Sequence, residues 1–165
     1  MKTSNLFSIL ISIFLLSSCG GGDDDSGPAG NSLTATVTGD ITASFNASGE
    51  VQGQKLVQAT LSSTGSGDVL SIVASEGTGN SMSIAITDYD GGGTYSLAIT
   101  SSNTATFTSV DTQSFETTGV TAISGSIEIT VNGDVINGAF NFDGEGNDDI
   151  QAEVSGEFSV TPEAQ

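Results

Sequence analysis

The chain has 165 residues, 20 of them acidic against two basic and no histidine, for a net charge of −18. No basic footprint exists to neutralise phosphates, which excludes nucleic acid as a partner, and the acidity opposes adsorption of the protein surface to an anionic membrane. Without His or Arg, and with a single Cys, a Ser-His-Asp triad, a Cys-His pair, a zinc site of the usual ligands or a phosphate clamp cannot be assembled.

The first element in chain order is a leader. Lys2 precedes an apolar run of eleven residues, Leu6 to Leu16, then the small residues Ser17 and Ser18 and the sole cysteine, Cys19. A charged start, an apolar middle and a small-residue cleavage site are the parts of a secretory signal. The run is short of the roughly twenty residues a spanning helix needs. It leads into Gly20-Gly21-Gly22-Asp23-Asp24-Asp25 rather than a stop-transfer pattern. A lone cysteine has no intramolecular disulfide partner.

Leu16-Ser17-Ser18-Cys19 resembles the bacterial lipobox at every position. The resemblance implies a signal peptide of residues 1–18, cleavage before Cys19, and acyl chains on the Cys19 sulfur and its new amino group. Two or more chains anchor stably, since each buried methylene contributes about 0.8 kcal/mol. The membrane is therefore the expected partner, through lipid on Cys19. Cleavage also takes Lys2 from the total of −18, leaving 147 residues at −19. Such a charge self-repels and fits a saline environment, where screening moderates it.

Residues 19–32 read as the lipidated cysteine and a Gly/Asp-rich tether without apolar periodicity. Asp23-Asp24-Asp25 resembles the surface-export signal of Bacteroidetes lipoproteins, set back here by three glycines. Gly20, not Asp, follows Cys19, so by resemblance to Gram-negative sorting the inner-membrane retention signal is missing. The implied location is the outer membrane, lipid-anchored, with cell-surface exposure as a further expectation.

Residues 33–161 form the expected β domain. Leu33, Ala35 and Val37 alternate with threonines; Ile41, Ala43, Phe45 and Ala47 continue after the Gly39-Asp40 turn. The period of two recurs at Val57-Ala59-Leu61, Leu70-Ile72-Ala74, Met82-Ile84-Ile86, Tyr95-Leu97-Ile99 and Ala105-Phe107. A looser stretch holds Phe115 and Val120. Ile127-Ile129-Val131, Phe140-Phe142 and the run Ile150, Ala152, Val154, Phe158, Val160 close the series. Strict alternation predicts antiparallel strands with one wet face. Turn signals separate them: Gly65-Ser66-Gly67, Gly77-Thr78-Gly79-Asn80, Gly91-Gly92-Gly93, Asn132-Gly133-Asp134 and Gly144-Glu145-Gly146. The fold class is all-β, a single antiparallel sandwich or barrel of about 8–10 strands.

Gly93-Thr94-Tyr95, Gly138-Ala139-Phe140 and Gly156-Glu157-Phe158 share a Gly-x-aromatic pattern, which predicts glycine beneath a packed ring at a strand start. The order of the lipobox, acidic tether, Ala35-to-Ala43 hairpin, Gly93-Thr94-Tyr95, and Gly125-x-Ile127-x-Ile129 with Gly138-x-Phe140-x-Phe142 resembles a family of small Bacteroidetes lipoproteins of unknown function. That resemblance covers about residues 33–160. It implies an all-β domain without assigned activity, so no functional residue is carried over.

Two acidic loops offer oxygens of the kind calcium favours: Asp88-Tyr89-Asp90, and Asp143-Gly144-Glu145-Gly146-Asn147-Asp148-Asp149. The second lacks EF-hand spacing, since Val154 stands where the closing Glu would be, and both read first as solvated hairpin tips. No metal ligand, cofactor or catalytic residue is assigned. Paired carboxylates can cleave glycosides, but the chain has no Trp and two Tyr for a sugar platform. The expected function is a non-enzymatic envelope lipoprotein, a structural or interaction module meeting an envelope protein or glycan. The alternative is a β-barrel binding an apolar, sugar or calcium-dependent small ligand, since about eight strands can enclose one.

Overall fold

The computed structural model describes residues 30–111 and 113–164; the expected leader, Cys19 and the expected tether up to residue 29 lie outside the described residues. The described residues carry thirteen strands: β1 (Ser32–Gly39), β2 (Ala43–Ser48), β3 (Glu50–Val51), β4 (Gln54–Lys55), β5 (Val57–Thr64), β6 (Gly67–Ser75), β7 (Ser81–Thr87), β8 (Gly93–Ser96), β9 (Thr104–Val110), β10 (Thr117–Asn132), β11 (Val135–Glu145), β12 (Gln151–Val160) and β13 (Glu163–Ala164). Ten of them span four residues or more. The fold is all-β.

Eleven strands form one sheet in the order β13-β5-β6-β7-β9-β10-β11-β12-β1-β2, with β8 also on β10; β3 and β4 make a separate hairpin. The sheet curls until distant strands touch. Phe45 of β2 meets Phe107 of β9 edge to face, ring centroids 6.3 Å apart. Alternation causes the curl: the apolar residues of each strand share one face, and a sheet with one oily face removes it from water by closing over it. Leu33, Ile72, Ile84, Ile127 and Phe142 are wholly buried there, while Thr36, Thr38, Glu128 and Glu153 stand outside.

β10 serves both halves of the curl. Thr117–Thr121 pair with β9, and Ser126–Ile129 pair with β8. Between them Ile123 is an extra residue: Ala122 faces Gly144 but Ser124 faces Asp143. This bulge flips the inward set from even numbers (Val120, Ala122) to odd (Ile127, Ile129) and bends the strand.

The edges meet through hydrogen bonds. Leu56 N–H donates to Gly49 at 3.0 Å. Asn46 N–H donates to the Glu76 carboxylate, which Thr78 and Asn80 also hold, each at 3.0 Å. Glu76 thus covers an outward donor of β2, a common protection of a sheet edge.

Five expectations need correction. The sheet is not antiparallel throughout: β13 runs parallel to β5, because the chain leaving β12 crosses to the far edge. Gly144 and Glu145 lie inside β11, and the turn falls at Asn147–Asp149. Ile99 is 77 % exposed: its N–H still bonds Ile123 at 2.9 Å, but β8 has ended at Ser96 and the backbone alone continues the pairing. Phe115 (80 % exposed, φ 58°) turns outward in the β9–β10 loop, and Val131 (46 %) stands beside the β10–β11 turn. The Gly-x-aromatic pattern is met only in part: Gly138 and Gly156 lie beneath rings, but inside β11 and β12 rather than at a strand start, and Gly93, which does start β8, has no ring over it. Gly138 pairs with Phe158 and Phe140 with Gly156.

Candidate functional site

The acidic loop from Asp143 to Asp149 is spread along a strand and a turn. Asp143 and Glu145 share the outer face of β11, two residues and so about 7 Å apart along the strand. The Asp143 carboxylate accepts the Ser124 hydroxyl at 2.8 Å. Asp148 and Asp149 lie beyond, both at φ 60°, in the turn that leads to β12. In the Asp88–Asp90 loop, Tyr89 is buried and stacks on Tyr95, with centroids 5.9 Å apart. The Tyr95 hydroxyl lies 2.8 Å from both the Asp90 carboxylate and the Gly91 carbonyl, which share its proton, and accepts Asp90 N–H at 3.2 Å. Asp90 therefore fastens the glycine loop. Burial pushes both phenols above their ordinary pKa; the negative charge of Asp90 adds to this at Tyr89, and its hydrogen bond adds at Tyr95. Among the described residues, no group of three or more His, Cys, Asp or Glu is placed to hold a metal ion.

The interior of the curl is occupied by side chains. Phe45, Phe107, Phe142, Leu33, Leu70 and Met82 are each at most 1–2 % exposed and meet there. The surface is where groups remain free. One row runs across the outer face in register: Thr94 on β8, Glu128 on β10, Ala139 on β11, Glu157 on β12, Thr34 on β1 and Asn46 on β2. Ala139 is small between two long acids, so the row dips into a groove of about 440 Å³ that Asn137 and Ser159 extend. Glu128 and Glu157 flank it two strand spacings apart, about 10 Å along the sheet.

Around a floor of Gly138, Ala139 and Phe158 the groove presents two carboxylates, the Asn137 amide and hydroxyls, and no positive group. Such a surface accepts hydrogen bonds from cationic or polyhydroxylated partners. Sequence reading did not single out Glu128 or Glu157. Their one signal was parity: each stands at a wet position beside buried neighbours, Ile127 and Ile129 for the first, Phe158 for the second.

The family model described as Domain of unknown function (DUF6252) matches residues 48–162, from the end of β2 to the segment after β12. No curated protein and no solved structure matches the chain.

Proposed function

The chain belongs to the family described as Domain of unknown function (DUF6252), and from that premise we propose that it is a non-enzymatic lipoprotein of the cell envelope, held at the outer membrane by acyl chains on Cys19. The observation that carries this reading is the sole cysteine, placed at the end of Leu16-Ser17-Ser18 and followed by a Gly/Asp tether. The tether holds the β domain off the bilayer, and the acidity of the domain keeps it from lying on anionic headgroups.

The domain acts as an interaction module through its outside. The packed interior supports this over carriage of a small ligand, because Phe45, Phe107 and Phe142 fill the space a ligand would take. The outer face, with Glu128 and Glu157 about the groove, supports a partner rich in donors, an envelope protein or a glycan. Fractionation of cells tests the anchor. Wild-type protein is expected in the outer-membrane fraction, and Cys19→Ala in the soluble or unprocessed pool. Outer-membrane retention of Cys19→Ala would contradict the proposal.

A further inference from the structure

The curled sheet is shut by its own C-terminal segment. β12 ends at Val160, and Thr161-Pro162 carries the chain across to β5, where Glu163 and Ala164 pair with Thr60 and Leu61. Two residues of parallel ladder are a weak hold. Asn31 helps: it accepts Thr161 N–H at 2.8 Å and donates to the Val57 carbonyl at 3.3 Å. The other fastening is Lys55, whose Nζ lies 2.6 Å from Glu163 Oε1, the only ion pair among the described residues. Lys55 also stands opposite Glu50 in the β3–β4 hairpin. Apart from Lys2 it is the only basic side chain in the sequence. One cation therefore serves acids on two elements. The hydrogen bond between Lys55 and Glu163, followed by their mutual attraction, raises the ammonium pKa and lowers that of the carboxyl.

We infer that residues 161–164 form a salt-released strap, which rising ionic strength loosens while it tightens the rest of the domain. The two responses differ in sign because the charges differ. Elsewhere acids face acids, as where Asp143 stands directly opposite Glu153, and screening relieves their repulsion. At Lys55 the interaction is attractive, and the two side chains are 51 % and 70 % exposed, so screening weakens it. A released strap uncovers the backbone donors and acceptors of the β5 edge and opens one wall of a groove of about 340 Å³, which Thr161, Pro162 and Glu163 line together with Asn31, Lys55 and Val57.

Hydrogen exchange on the whole protein tests this at about 0.01 M and about 0.15 M sodium chloride, where the Debye length is about 30 Å and about 8 Å. The amides of Thr161, Glu163 and Ala164 are expected to exchange about two- to fivefold faster at the higher salt, the range an exposed ion pair controls. Those of β6 and β7 are expected to slow. In Lys55→Gln the strap exchanges fast already at low salt, and added salt now slows it, because only repulsion is left. Glu163→Gln loses the salt-induced acceleration, and Lys55→Arg keeps it. Strap protection that rises with salt in the wild type, or that Lys55→Gln leaves unchanged, overturns the inference.

Discussion

Phe158 covers Gly138 across the β11–β12 pair so closely that a Cβ on the glycine would lie 2.3 Å from the ring's Cζ. Two residues along, the relationship is reversed: a Cβ on Gly156 would lie 2.6 Å from Cζ of Phe140. Each ring takes the volume that the opposing glycine leaves. Gly138→Ala is therefore expected to cost about 1–3 kcal/mol, the usual range for overpacking a buried site. Adding Phe158→Leu should recover part of that loss, a coupling expected of touching residues. Denaturant titration of the two single variants and the double variant reads it. Strict additivity would mean that the ring and the glycine do not compete for space.

The curl itself rests on contacts such as Phe45 against Phe107. Phe107→Ala should lower stability by about 3–5 kcal/mol, the range for a buried phenylalanine. Phe45→Ala on top of it should cost less than it does alone, because the contact is already gone. Equal costs in both backgrounds would place the two rings in independent parts of the core.

Salt should raise the melting temperature of the domain by screening its acids. Calcium and sodium chloride at matched ionic strength are expected to raise it equally, since Asp143, Glu145, Asp148 and Asp149 are spread over a strand and a turn. A larger rise in calcium, removed by Asp148→Asn with Asp149→Asn, would show that the loop binds the ion after all.

The two tyrosines allow a pH test with an optical readout. Their folded-state pKa values are raised, at Tyr89 and Tyr95 alike, chiefly by burial. A phenol with a raised folded pKa contributes stability that is complete below the unfolded value of 10.0 and is lost as pH climbs through the folded one. Ultraviolet titration of the native protein should place both midpoints above 10.0, and the melting temperature should fall over that same alkaline window. Tyr95→Phe removes the bond to Asp90 and should narrow that loss to the Tyr89 share. Native midpoints at or below the free value would contradict the stacked pair of buried Tyr89 and half-buried Tyr95.

Half-buried strands announce themselves, so β1, β6, β7, β11 and β12 were legible from alternation alone. Even the β10 bulge left a trace, in the change of parity between Val120 and Ile127. What escaped was non-local. The sequence shows two Gly-x-Phe copies, but their reciprocal packing depends on the β11–β12 register. Glu128 and Glu157 share a row only because the register sets Ala139 of β11 between them. β13 is two residues long, too short for any period to mark it, and so the closure of the sheet stayed invisible. Ile99 and Phe115 continued an apolar pattern into segments where no strand continued.

Mass spectrometry of the N-terminal peptide from cell-derived protein tests the central claim most directly. The account predicts that the mature chain begins at Cys19, that residues 1–18 are gone, and that the peptide carries the added mass of acyl chains. An unmodified peptide starting at Met1, or a mature chain with a free Cys19 thiol, would contradict it.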